Sequence, residues 1–152
     1  MRDGPYGPGM VQLWVDLDPS VDVLEMIVSR DPRLRPLAIF DVLANNADRK
    51  GGHLLPVAGG HIYGVDHGIC FAVEPKLRTV LWGWRGETLS EQESDAVGRM
   101  CEALDGDLGR DLESLLETDE VRATSRRAET LLKAGRFPQP DPSRPALPWP
   151  PF

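Results

Sequence analysis

Asp48 and Asp66 are the residues of this 152-residue chain whose type and setting most readily do chemistry. Asp48 opens a charged, glycine-bearing loop, Asp48-Arg49-Lys50-Gly51-Gly52-His53, and Asp66 begins Asp66-His67-Gly68 at the end of an apolar stretch. A hairpin between the two would bring both carboxylates to one mouth. One carboxylate could then orient an acceptor hydroxyl while the other holds Mg2+, an arrangement that phosphoryl transfer uses. Arg49 or Lys50 would neutralise phosphate charge, and Gly51 and Gly52 would let the backbone approach a ligand closely. Each aspartate also has a plainer reading, since Asp is common at helix-terminal turns and before glycine. The joint spacing favours the chemical reading over two separate turns. His53, His61 and His67 lack the close paired spacing of a zinc site.

The elements that must position these residues follow from the apolar pattern. Leu37 to Asn45 is apolar on nearly every side and reads as a central helix ending just before the charged loop. Asp41 is the exception within it, and if buried it requires a hydrogen-bond partner. His53–Val57 and His61–Val65 pair as a hairpin across Ala58-Gly59-Gly60, with Pro56 suited to an edge. Upstream, Gly4-Pro5-Tyr6-Gly7-Pro8-Gly9 is turn-forming, Met10–Val15 reads as a strand, and Val21–Ser29 as a short helix capped by Ser20. The stretch 31–36 reads as a loop. Downstream, Ile69–Val73 is apolar, and Thr79–Trp84 is a strand or a docked loop. Helices are expected from Ser90, with a capping box to Glu93, to Leu104, from Leu108 to Leu116, and from Asp119 to Ala134, stopped by Gly135. The proline-rich stretch 137–152 is extended, and its recurring apolar residues favour docking on its own domain over serving as a polyproline ligand. Trp82 and Trp84 read first as aromatic packing against the helices.

Composition narrows the classes. The length suits one domain with a modest core. A net charge of −7 gives no support to nucleic-acid binding. No apolar run approaches the length of a membrane span, so no stable membrane insertion is expected, and a cytoplasmic location follows from the lack of a signal-like start. Cys70 and Cys101 have no metal-ligand spacing and read as reduced, buried thiols. The arginine-rich, lysine-poor composition points to a GC-rich genome.

The segments Ile39-Phe40-Asp41-Val42-Leu43-Ala44-Asn45-Asn46-Ala47-Asp48-Arg49-Lys50-Gly51-Gly52-His53-Leu54-Leu55 and Gly64-Val65-Asp66-His67-Gly68-Ile69-Cys70-Phe71 together resemble the catalytic core of the phosphatidylinositol 3- and 4-kinases. The resemblance is nearest to the type II phosphatidylinositol 4-kinases and to kinase-like actinobacterial proteins. It implies an α+β fold, a protein-kinase-like C-terminal lobe that is mostly helical, with a β-hairpin carrying the catalytic and metal loops. Residues 1–18 would be a hinge-like strand and turn, 19–136 the lobe, and 137–152 the tail.

By the same resemblance Asp48 is the catalytic-loop aspartate, Asp66 the Mg2+ ligand, and Asp41 a structural residue tying down the loop. His53 stands where protein kinases have a metal-binding Asn, making it the candidate second contact to metal and nucleotide. Mg2+ and ATP are the implied cofactors, with the phosphate acceptor open among lipid, protein and small molecule. No lysine precedes Lys50, and the glycine spacing of Gly4–Gly9 is not that of a phosphate-gripping loop. The expected function is therefore a phosphoryl-transfer module that needs an N-terminal lobe for completeness. The alternative is a pseudokinase-type binding module. A metal-dependent phosphoesterase lacks the clustered ligands of a two-metal site.

Overall fold

The helix that carries the candidate loop begins earlier than its apolar run implies. In the computed structural model, which describes residues 2–9 and 12–152, that helix spans Arg35–Ala44. Pro36 sits in its first turn, where the missing backbone N–H breaks no helical bond. The stretch read as a loop is instead a 3-10 turn, Pro32–Leu34, whose Arg33 N–H is capped by the Asp31 carboxylate and which runs straight into the helix. Ala38, Ile39, Leu43 and Ala44 are all buried, as an all-round apolar helix requires. It stops at Asn45, in the left-handed region at φ 51°, a conformation asparagine tolerates better than most residues.

Ahead of it lie a small antiparallel hairpin, β1 (Arg2–Gly4) and β2 (Gly7–Gly9), and a first helix, α1 (Val23–Ser29); the Arg35–Ala44 helix is α2. The turn at Pro5-Tyr6 was expected, but the strands flanking it were not. Of the strand expected over 10–15, residues 10 and 11 lie outside the described residues. Residues 12–15 form no strand, and Leu13 and Trp14 are exposed. Asp22, not Ser20, caps α1: its carboxylate accepts from the N–H groups of Leu24 and Glu25 at 2.8 and 3.2 Å. Ser20 instead closes a tight turn on Asp18.

The expected central hairpin forms, trimmed at both ends, as β3 (Leu54–Pro56) and β4 (Ile62–Gly64), with Leu54 opposite Gly64 and Pro56 opposite Ile62. Two strands alone are marginal in water, so the hairpin depends on what it packs against. Leu54 and Ile62 supply that contact by entering the core formed with α1, α2 and the later helices.

Three helices complete the chain: α3 (Glu91–Asp105), α4 (Asp107–Glu113) and α5 (Thr118–Ala134). Ser90 and Glu93 form the expected capping box, and Gly135 ends α5 at φ 61°. α3 packs chiefly on α5, and α5 on α2. Thr79–Trp84 is a docked loop ending in a 3-10 turn, not a strand. The tail docks on its own domain: the Ala146 carbonyl accepts from Thr79 N–H at 3.1 Å and from Trp82 Nε1 at 2.8 Å, and Pro148 is fully buried. The fold is thus α+β and mostly helical, with two small two-stranded sheets among the described residues. No helix among the described residues is long and apolar enough to cross a membrane.

Candidate active site

Asp41 answers for its burial with a set of partners drawn from two segments, the loop after α2 and the stretch around Thr79. Its carboxylate accepts from Arg49 Nε and a terminal Arg49 nitrogen at 3.1 and 2.9 Å, from Asn46 Nδ2 at 2.9 Å, and from Thr79 Oγ1 at 2.9 Å. Asp41 and Arg49 are both 0% exposed, Asn46 1% and Thr79 3%. The other terminal nitrogen of Arg49 donates to the Val65 carbonyl at 2.8 Å, the residue before Asp66. No buried side-chain polar atom among the described residues lacks a partner. A charge pair removed from water is tolerable only under such full satisfaction.

Backbone bonds stitch the same segments together. Arg49 N–H donates to the Arg78 carbonyl at 3.0 Å, and Val80 N–H returns to the Arg49 carbonyl at 3.1 Å. Asp48 N–H is held by the Asn46 side-chain oxygen at 3.0 Å, and Val65 N–H by the His53 carbonyl at 3.0 Å. The charged loop and the end of the hairpin are therefore anchored on one buried hub. Sequence reasoning located Asp41 as a tether but missed Asn46 and Thr79. Thr79 lies far along the chain, and no local pattern marks it.

Above the hub lies a solvent-facing rim. Lys50 Nζ is 3.3 Å from Asp48 Oδ2, and the two side chains are 24% and 29% exposed. His53 Nε2 is 3.5 Å from Asp66 Oδ2, so the two residues singled out as metal contacts come together. His53 Nδ1 faces the Lys50 N–H at 3.5 Å. An Nδ1 that accepts leaves the ring proton on Nε2, the nitrogen on the Asp66 side. The Asp66 side chain is 63% exposed, and its backbone occupies the left-handed region at φ 56°. Arg49 does not reach this rim: of the two cations expected to screen phosphate charge, only Lys50 has its ammonium there.

Beyond Asp66 the chain folds back on the end of α2. Ala47 N–H donates to the Ile69 carbonyl at 2.9 Å, and Phe71 N–H to the Ala44 carbonyl at 2.6 Å. Phe71 is held at φ 68°, costly for a bulky residue and sustained only by such fixed surroundings. His67 stacks edge-on against Phe40 with ring centroids 4.8 Å apart, and desolvation there, then Arg49, lowers its pKa. His61 stacks on Tyr63 instead. Cys70 and Cys101 are unpaired and half-buried rather than buried, and burial raises the Cys70 pKa to about 11, making it a poor nucleophile. Trp84 is core, beside Phe137, while Trp82 holds the tail.

The tail also reaches the loop itself. Gly51 N–H donates to the Pro151 carbonyl at 2.8 Å, and the Phe152 ring lies so close over Gly51 that a Cβ there would fall 2.0 Å from a ring carbon. Gly51 thus serves close approach, but the group approaching is the chain's own terminus. Docking of the tail was expected from its apolar residues; its address on the charged loop was not.

Protein Rv2133c of Mycobacterium tuberculosis is 41% identical over 187 aligned positions, which take in all of this chain and 67% of the mycobacterial protein. No family model matches. No solved structure matches.

Proposed function

From the premise that the chain belongs to the family of the mycobacterial protein Rv2133c, we propose that it is a phosphoryl-transfer module with a protein-kinase-like C-lobe, binding Mg2+ and ATP. The observation that supports this reading is the pairing of rim and hub. Asp48 with Lys50, and Asp66 with His53, occupy two ends of a segment that Arg49 and Asp41 hold rigid. Preorganisation of this kind is what positioning-dominated phosphoryl transfer requires.

In this reading Asp48 would take the proton of an acceptor hydroxyl as that oxygen bonds to the terminal phosphoryl group of bound ATP, with ADP as the leaving group. Lys50 offsets charge developing on the transferred group. Asp66 fits the demands of a hard cation, because its carboxylate is exposed and, among the described residues, its only ion-pair partner is the imidazole of His53. Bound Mg2+ would neutralise phosphate charge. No group of three or more possible metal ligands occurs among the described residues, and Mg2+ commonly takes its other positions from water and phosphate. His53 suits orienting Asp66 better than ligating the metal, because its Nε2 carries the proton and imidazole is a poor partner for Mg2+. A complementary lobe would supply the remaining nucleotide contacts, and the acceptor class stays open among lipid, protein and small molecule.

A second reading, a binding module without catalysis, is favoured by one contact. Phe152 covers the Gly51 backbone, where the glycines would otherwise admit a ligand. Calorimetry with Mg-ATP on the chain and on Asp66→Asn separates the two. Magnesium-dependent binding that Asp66→Asn abolishes supports phosphoryl transfer. Absence of binding at saturating nucleotide leaves the non-catalytic reading for this chain.

A further inference from the structure

A sizeable cavity lies away from the rim. It is an open groove of about 840 Å³ between α5, the stretch 73–78 and the stretch 136–146, and neither Asp48, Lys50, His53 nor Asp66 lines it. Its size lies within the range of small-molecule sites. Its charge is opposite to that of the chain. Lys76, Arg78, Arg126, Arg127, Arg136 and Arg144 line it against a single carboxylate, Asp141, in a protein of net charge −7.

Two of these cations are already answered, Lys76 by Glu74 at 3.6 Å and Arg144 by Asp141 at 3.8 Å. Arg78, Arg126, Arg127 and Arg136 have no carboxylate partner among the described residues. Arg127 is half-buried and, among the described residues, makes only neutral hydrogen bonds, to the Leu43 and Ala72 carbonyls at 2.8 and 3.2 Å and to Thr124 Oγ1 at 2.8 Å. Desolvation, then the neighbouring Arg126, lowers its pKa to about 10, which reflects a cation lacking a counter-charge. The rest of the wall is largely apolar, with Val42, Leu77, Trp82 and Leu131 among it.

The wall is also held in place. Asn45 fixes the 72–76 loop by donating to the Ala72 and Glu74 carbonyls at 2.8 and 2.7 Å and accepting from Lys76 N–H at 2.9 Å. The far side is closed by Arg144, which donates to the Pro75 carbonyl, and by the Thr79–Ala146 backbone bond.

We propose that this cavity binds an organic diphosphate carrying an apolar body, the guanidinium groups taking the diphosphate and the apolar wall the body. Guanidinium forks match phosphate oxygens two at a time, and several unanswered cations suit a polyanion better than a lone carboxylate. The site needs no metal and stands apart from the phosphoryl-transfer reading.

Calorimetry in chelator, with geranyl diphosphate as the probe, tests it. Geranyl diphosphate should bind far more tightly than inorganic pyrophosphate or geraniol, since each supplies only half of the match. Arg126→Gln/Arg136→Gln should weaken binding by at least about tenfold, because charge-assisted hydrogen bonds are lost. Ala134→Trp, which sets a bulky ring on the groove wall without touching charge, should weaken it as well, both variants keeping the wild-type melting temperature. Equal binding of pyrophosphate and geranyl diphosphate would overturn the proposal by reducing the site to a basic patch. Binding unchanged in both variants, or preferential binding of ADP over geranyl diphosphate, would overturn it too.

Discussion

Arg49 and Lys50 are adjacent in the chain and opposite in the fold. Arg49 is wholly enclosed, its charge matched by Asp41 and its remaining hydrogen-bonding capacity spent partly on the carbonyl beside Asp66. Lys50 rests on the surface against Asp48, with both side chains partly in water. One cation belongs to the floor of the loop and the other to its rim. The contrast shows how a single short segment separates two demands. Rigidity is supplied from below, by charges that are costly to disturb, while the groups above remain free to meet a ligand. A loop held only by its rim contacts would be soft, because exposed ion pairs are worth little.

The largest effect should come from breaking the floor. Arg49→Met leaves the Asp41 carboxylate buried without its cation, and removing one partner of a buried pair typically costs about 3–5 kcal/mol. Urea denaturation of the variant against the wild type measures this directly. Asp41→Leu/Arg49→Met should regain only part of the loss, since it removes the unpaired buried charge but leaves the Asn46 and Thr79 donors without their acceptor. A loss below about 1 kcal/mol in the single variant would place Arg49 among surface pairs and dissolve the contrast.

What could be read beforehand follows the same division. Local signals were legible: the all-round apolar α2, the glycine turn between β3 and β4, the Ser90–Glu93 capping box and the Gly135 stop each arise from neighbours in sequence. The cap of α1 was misplaced because Asp18-Pro19-Ser20 and Asp22 offer competing turn chemistry within a few residues, and Ser20 is drawn to Asp18. The strand expected over 10–15 has, across 12–15, no partner among the described residues, and β-propensity without a partner decides nothing. At the site, Asp48 and Asp66 stood out by type. The hub did not, because Thr79 and Val65 meet Asp41 and Arg49 only through tertiary folding. The basic cavity was hidden for the same reason: its arginines come from three separate segments, and an acidic overall charge masks them.

An intermediate case sharpens the scale. Arg35 grips Glu93 through two nitrogens at 2.7 and 2.8 Å, with side chains 19% and 15% exposed, between the extremes of Arg49 and Lys50. That grip, aided by the Ser90 N–H, holds the Glu93 pKa at about 2. An unfolded glutamate titrates near about 4.3, so the folded state favours the charged form. The stabilisation is present above the unfolded value and is lost as pH falls through the folded one. Glu93→Gln, which keeps an acceptor for the helix cap, should cost about 1–2 kcal/mol at neutral pH. The difference from the wild type should shrink as pH drops from about 4 toward about 2. Paired urea titrations across that range give the curve, and a difference independent of pH would assign the effect to packing rather than charge.

The smallest stability effect belongs to the rim, and its smallness is the point. Lys50→Met removes an ion pair that water and salt already screen, so the unfolding free energy should change by less than about 1 kcal/mol. If Lys50 meets phosphate as proposed, Mg-ATP affinity should nevertheless fall several-fold, and the loss should be greatest at low salt, where an exposed cation is least screened. Calorimetry at two ionic strengths, beside urea denaturation of the same variant, reads both quantities. A variant that loses stability like Arg49→Met would make Lys50 part of the floor. A variant unchanged in stability and in nucleotide affinity would remove Lys50 from the rim chemistry while leaving Arg49, Asp41 and Thr79 as the frame on which that chemistry is mounted.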